Sequence, residues 1–359
     1  MRVLHVDTAL SWRGGQNQVL LSARGMAARG HEVRLVCRSG GALAERARAE
    51  GVSTSTVGFR GDLWPPGLVS LTMLLRSFRP DVVQLHDPHA VTAGLLALRF
   101  APGPVAVATR RVDFPLRGPL SRWKYASCGR VIAVSRAIAG ILETGGLGSD
   151  RIRVVYEGVP DRQPAPGGSE ALRDLGIPEG SPVIGNVAAL TDHKDHHTLM
   201  RAAALVLQRA PRARFVILGE GELRSSLEKE AAALGFGDRC VFAGFRSDLD
   251  RLLPAFTLFC LSSRLEGLGT SLLDAMCFGV PIVATAAGGI PEAVEDGVTG
   301  RLSPPGDPAA LAGALVELLE DPDRRRALGA AGRRRFEKRF SADRMVDDTL
   351  RVYRELLPG

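Results

Sequence analysis

Two short runs, "VAVAT" at 105–109 and "VIAVS" at 131–135, restrict the fold of this chain more than any other feature. A strand with one face in water alternates apolar and polar residues. An unbroken apolar run is buried on both faces, as in a parallel sheet covered by helices. Such runs alternate with helical patterns from the first residues: "RVLHVDT", the amphipathic "NQVLLSARGMAARG", "HEVRLVCR", "ALAERARAEG", and so on to "IRVVYEGV". The Pro- and Gly-rich stretch "PDRQPAPGGSEALRDLGIPEGSP" then interrupts the pattern and reads as a linker carrying one short helix. Alternation resumes with "VIGNVAAL" and runs through "LFCLSS" and "PIVAT" to a helical end. The class is therefore α/β, with two Rossmann-like, doubly wound parallel-sheet domains facing a central cleft. The expected domains are 1–165, 166–340, and a C-terminal helix over 341–359 that packs back on the first domain. A chain of 359 residues is long enough for about two domains.

Five scattered cysteines without a CxxC pair argue against a disulfide framework or a zinc site. The opening "MRVLHVDTALSW" lacks the regions of a signal peptide, and no apolar run reaches the length of a membrane span. A cytoplasmic location is expected. The net charge is +7, but residues 1–165 hold 22 Lys/Arg against 12 Asp/Glu, and the remainder 24 against 27. That split predicts that the first half meets an anionic partner, such as the inner face of the cell membrane or a phosphorylated acceptor. Arginine-rich composition is the competing explanation. Nucleic acid is not expected, since no recognised motif is present and aromatic residues make up only 5%.

The stretch "LEGLGTSLLDAM" at 265–276 places two acids around a flexible turn at the start of an apolar helix. Glu266 follows a strand, Gly267 and Gly269 permit close backbone approach, and the helix begins near Thr270. Its first amides are free to bind an anion, and Asp274 lies one turn further on. Carboxylates that accept from hydroxyls therefore bracket amides that donate to phosphate, an arrangement suited to a sugar diphosphate. Acids favoured by the helix dipole are the plainer explanation.

The wider segment "SRLEGLGTSLLDAMCFGVPIVATAAGGIPEAVEDGVTGRLSPPGDP" closely resembles the donor-binding signature of the family 4 glycosyltransferases. "SWRGGQNQVLLSARGMAARGHEVRLV" and "NVAALTDHKDHHTLMRAA" resemble the family's first Gly-Gly loop and its phosphate-binding segment. The resemblance implies a GT-B fold and a retaining, metal-independent enzyme, with a nucleotide-diphosphate sugar as donor and no cofactor. It implies that Glu266 contacts the donor sugar and that backbone around Gly267, Leu268, Gly269 and Thr270 approaches sugar and phosphates. Asp274 stands where the family usually has a second glutamate on the ribose, one methylene shorter. Lys194 matches the lysine on the diphosphate. Asn186 stands where an arginine is usual, so His193 or Arg246 is expected to substitute. Gly14 and Gly15 would approach the diphosphate, and Glu220, Phe245 and Arg246 would line the nucleotide pocket.

Retention is usually described as front-face attack, which needs no protein nucleophile. Glu266, Lys194 and His86 are the expected catalytic residues. His86 and His89 follow a strand end in the first domain. Arg110 and Arg111 replace a histidine common in the family and point, with His89, to an anionic acceptor. The "HKDHH" string and two DxD strings, at 248–250 and 321–323, are not expected to hold a metal. The expected acceptor is a lipid-linked glycan, a lipopolysaccharide or another envelope polysaccharide. A sugar-nucleotide epimerase and a non-catalytic sugar-nucleotide-binding protein remain open alternatives.

Overall fold

The computed structural model describes residues 1–59, 61, 64–116 and 118–357. The chain forms two compact units: Met1–Gly158 with the chain from Ala342 onward, and Val159–Ser341. The first contains β1 (Arg2–Asp7), α1 (Gly14–Ala28), β2 (Glu32–Arg38), α2 (Ala42–Ala49), β3 (Thr54–Val57), α3 (Pro65–Phe78) and β4 (Val82–Leu85). It continues with α4 (Pro88–Phe100), β5 (Val105–Arg110), α5 (Gly118–Ala126), β6 (Arg130–Ala133), α6 (Arg136–Thr144) and β7 (Ile152–Val154). The second contains α7 (Gly168–Asp174), β8 (Val183–Val187), α8 (His196–Arg209), β9 (Arg214–Leu218), α9 (Arg224–Ala233), β10 (Cys240–Gly244) and α10 (Leu249–Leu252). After them come β11 (Leu258–Leu261), α11 (Thr270–Cys277), β12 (Ile282–Thr285), α12 (Ile290–Ala293), β13 (Arg301–Ser303), α13 (Pro308–Glu320) and α14 (Pro322–Arg339). The last helix, α15 (Ala342–Arg354), belongs to the first unit.

The strand order is β3-β2-β1-β4-β5-β6-β7 in the first sheet and β10-β9-β8-β11-β12-β13 in the second. The strand pairings are parallel. Burial on both faces explains the apolar runs. Leu4, Val6, Val83 and Leu85 enter one cluster, while Val3, Val82, Val107 and Ile132 enter the cluster on the other face. In the second unit Ile184, Phe215, Ile217 and Leu258 pack with Leu311 and Leu315 of α13. The strand order reverses between β1 and β4, and again between β8 and β11. Ligands of doubly wound sheets bind beyond the carboxyl ends of the strands at such reversals.

Helix α15 closes the second face of the first sheet. Met345, Val346, Leu350 and Tyr353 are buried there, and the Tyr353 hydroxyl donates to Oε1 of buried Gln84. Val346 lies so close to α1 that a Cβ added at Gly25 would stand 2.6 Å from its Cγ2. Arg29 holds Asp347 at 2.7 Å and Asp343 at 3.0 Å. One helix escapes the sequence pattern. α5 buries only Tyr125, so "GPLSRWKYA" carries no apolar stripe. The five cysteines are buried and unpaired. Among the described residues no helix is long and apolar enough to cross a membrane.

Candidate functional site

The reversal in the second unit gathers Lys194 and Glu266. Lys194 ends a short turn (Asp192–Lys194) after β8, and Glu266 lies in the turn between β11 and α11. Lys194 Nζ makes a close ion pair with Glu266 Oε2, and Ser263 Oγ donates to the same oxygen at 3.3 Å. The two side chains are only 18% and 12% exposed. The loops are also joined through their backbones. The Arg264 and Leu265 amides donate to His193 O at 2.9 and 3.3 Å, and Ser262 Oγ to Lys194 O at 3.1 Å. A third loop, after β12, fixes the Glu266 carbonyl, which accepts from Gly289 N at 3.0 Å. Neighbouring Gly288 has φ +51°, and a Cβ there would lie 2.0 Å from Glu266 O.

Helix α11 opens at Gly269, which has φ +90° and offers no side-chain cap. The first amides from Thr270 therefore lack a side-chain acceptor and suit an anion. Leu268 is 1% exposed, so its side chain anchors this turn in the core. Asp274 is paired with Arg162, from the segment after β7. Burial pushes the Asp274 carboxyl up to about 6, against the pull of the Arg162 guanidinium. Arg162 has no signal in the sequence beyond its charge.

Other residues expected at the donor are held differently. Asn186 is 1% exposed and braces the domain from inside. Its Nδ2 donates to Cys260 O at 2.9 Å, so its Oδ1 accepts from His196 Nε2 at 3.1 Å. The reason is its place on β8, beside β11, where the side chain faces the core. Glu220 pairs with Arg224 at 2.7 Å on the loop after β9, and Arg246 grips Asp248 through two bonds of 2.8 and 2.6 Å. The Arg246 charge is thus already matched. Phe245 is 60% exposed. The "HKDHH" side chains diverge. His193 meets Thr191, Asp195 caps α8, His197 pairs with Glu230, and His196 is buried, which lowers its pKa to about 4. Among the described residues no group of three His, Cys, Asp or Glu could hold a metal ion.

In the first unit, the β1/β4 reversal brings His5 beside His86. Their rings stack with centroids 5.1 Å apart, and His5 Nδ1 lies 2.8 Å from His86 Nε2. Arg111 lies 3.3 Å from His86 Nδ1 and binds Glu157 at 2.9 Å. A guanidinium only donates, so His86 Nδ1 accepts and its Nε2–H points to His5. Burial, with Arg111 next, lowers the pKa of both rings, that of His5 to about 3. His86, expected to be catalytic, is 4% exposed and has both nitrogens engaged. Its Nδ1 faces Arg111.

Arg110 and Arg111, expected together at an acceptor, part at the end of β5. Arg110 is 6% exposed and donates to Tyr125 Oη at 3.2 Å and to Phe114 O, bracing the loop before α5. Arg111 is the one beside the α1 turn: a Cβ on Gly15 would lie 3.6 Å from its Cδ. Gly14 and Gly15 open α1, whose first residues have no side-chain cap. His89 is exposed on the first turn of α4.

Sequence reasoning missed the acids at this end of the sheet. Asp7 accepts from Ala9 N at 3.0 Å and Gln16 Nε2 at 3.2 Å. Burial, and then Asp87, push it up to about 6. Asp87 caps α4 and accepts from Thr8 Oγ1 at 2.8 Å. The available signal was an acid at the end of one strand pattern and just beyond another, in "HVDT" and "LHDP".

Comparison with known proteins matches both halves. The Glycosyltransferase Family 4 model covers residues 12–163, and the model of Glycosyl transferases group 1 covers 169–335. The chain is 28% identical to the 2-deoxystreptamine glucosyltransferase of Streptomyces kanamyceticus, over 99% of this chain and 98% of that one. It is 30% identical to the 2-deoxystreptamine N-acetyl-D-glucosaminyltransferase of Streptomyces fradiae, over 80% of this chain and 74% of the relative. HepE of Anabaena, solved with UDP and glucose, superposes with a TM-score of 0.88 at 21% identity, covering 99% of this chain and 100% of HepE.

Proposed function

The chain belongs to the family 4 glycosyltransferases, and we propose that it moves a sugar from a nucleotide-diphosphate donor to a hydroxyl-bearing acceptor. Its fold is GT-B, two parallel-sheet α/β units. One observation carries the proposal. The Lys194–Glu266 pair stands at the β8/β11 reversal beside the uncapped start of α11. Glu266 accepts hydrogen bonds from the donor sugar. Lys194 and the α11 amides stabilise the charge that develops on the leaving diphosphate, without requiring a metal. Asp274 accepts from the ribose. The sugar is transferred with retention, with no protein nucleophile in the reaction. The nucleotide bound by HepE supports this donor class.

For the acceptor we propose a glycan or glycolipid of the cell envelope, with the basic first half of the chain resting on an anionic membrane face. A second reading, a small amine-bearing cyclitol, is favoured by one specific observation. Asp7, Asp87 and Glu157 lie near the β1/β4 reversal, where Glu157 already matches the charge of Arg111. The names of the two Streptomyces relatives point the same way. Transfer assays with both acceptor classes separate the two readings.

Glu266→Ala and Lys194→Ala should each lower transfer by roughly 100-fold or more while the circular dichroism spectrum stays unchanged. Full activity in both variants would overturn the assignment. Epimerised donor without acceptor would instead mark an epimerase. Donor binding with neither transfer nor hydrolysis would mark a non-catalytic binder.

A further inference from the structure

Asp274 has a companion that its role on the ribose does not require. Arg162 sets its guanidinium against the Asp274 carboxylate and over the Phe278 ring, with Cζ 5.3 Å from the centroid. The segment that carries Arg162 is anchored on both sides. Arg162 N donates to Cys277 Sγ at 3.4 Å, and Cys277 Sγ lies 3.6 Å from Pro160 O. Arg333 takes both oxygens of Asp161, at 2.7 and 2.9 Å. These contacts hold residues 160–162 firmly against α11 and α14. The guanidinium is not fully engaged. Its Nε is buried without a hydrogen-bond partner, and 31% of the side chain remains open.

We propose that Arg162 is a donor-binding residue, which with Asp274 forms a two-ended reader of the ribose hydroxyls of the nucleotide. This rests on the proposal that the second unit binds a nucleotide sugar. A hydroxyl both donates and accepts. The Asp274 carboxylate accepts a hydrogen bond from a ribose hydroxyl, and the Arg162 guanidinium donates to a hydroxyl oxygen. An aspartate reaches one methylene less far than a glutamate, and the guanidinium spans that gap. A 2′-deoxyribose keeps only its 3′-hydroxyl and leaves one end of the pair without its hydroxyl partner.

Calorimetric titration of the full chain with UDP and with GDP, each beside its 2′-deoxy counterpart, tests the assignment. Wild type should favour the ribonucleotide by roughly 10- to 100-fold, the range of hydrogen bonds to charged groups. Arg162→Met should lower that ratio at least about fivefold, and Arg162→Lys should restore part of it. Thermal unfolding reports whether each variant is folded. A wild-type ratio carried unchanged by Arg162→Met, with both nucleotides weakened equally or not at all, overturns the proposal and leaves Arg162 a brace. Failure of wild type to bind either ribonucleotide would overturn the donor reading itself.

Discussion

Replacing Gly288 by alanine tests how the Glu266 turn is held. The residue has φ +51°, and a Cβ there would lie 2.0 Å from Glu266 O and 3.2 Å from Glu266 N. Real Cβ contacts do not fall below 3.0 Å, so the two backbones must part by about 1 Å. The neighbour is main chain and cannot rotate away. Left-handed backbone costs an alanine about 1–2 kcal/mol. Losing the Gly289 N–H bond to Glu266 O adds about 1 kcal/mol. The sum, about 2–3 kcal/mol, corresponds to a fall in Tm of roughly 4–12 °C for a unit of this size. A displacement of about 1 Å at a binding group also lowers turnover by roughly 100-fold. Gly297→Ala is the control: its φ is +72°, but nothing lies within 4 Å of the added carbon. It should show the backbone cost alone, with activity retained. Calorimetry and a transfer assay on both variants decide the matter. Equal Tm losses and full activity in Gly288→Ala would refute the argument that this glycine is needed for the Glu266 contact.

Asp7→Asn should stabilise the protein at pH 8 by about 1–3 kcal/mol, and by nothing at pH 4. In the folded chain the Asp7 carboxyl is raised from 3.8 to about 6. The folded state therefore binds a proton that the unfolded state has lost, and stability falls as pH rises between about 4 and 6. Asp87, Arg111 and Gln16 face Asp7, and Asp274, also raised, adds its own slope in that window. Urea unfolding across pH checks this, and a variant equally destabilised at both pH values would contradict it. Tyr353→Phe leaves Gln84 Oε1 buried without its donor and should cost about 1–3 kcal/mol. An unchanged urea midpoint would show that the bond contributes nothing. Sedimentation with anionic vesicles should show binding that falls with salt. Binding insensitive to salt, or none, would remove the membrane from the proposed function.

What could be read from the sequence follows the range of the interactions involved. "VAVAT" and "VIAVS" announce their burial because the cause acts on every residue of the run. Strand order is a long-range property. Nothing local places Asp7 beside Asp87, or His5 against His86, so the acids at the β1/β4 reversal were not legible. Arg110 and Arg111 look alike in sequence, yet the chain turns one toward Tyr125 and the other toward Glu157. Asn186 stands where the resemblance puts a phosphate-binding arginine, but its side chain bonds inside the core. The segment 160–162, a proline followed by two charged residues, has the composition of a spacer. Its three residues become a clamp only through Cys277, Arg333 and Asp274, more than a hundred positions away. The turn and helix start within 265–276 were legible because they are set by neighbouring residues, the glycines before Thr270 and the apolar helix after it.

The return of α15 to the first unit has a temporal side. Met345, Val346, Leu350 and Tyr353 complete a core whose other members, such as Val3 and Val19, are synthesised at the start of the chain. The whole second unit is translated in between, which at ~5–20 residues per second takes roughly 10–40 s. During that interval the face of α1 around Gly25 lies bare and Gln84 lacks its partner. The unit that emerges first is therefore the last to close, and a chain stopped before Ala342 would carry a finished second unit beside an open first one.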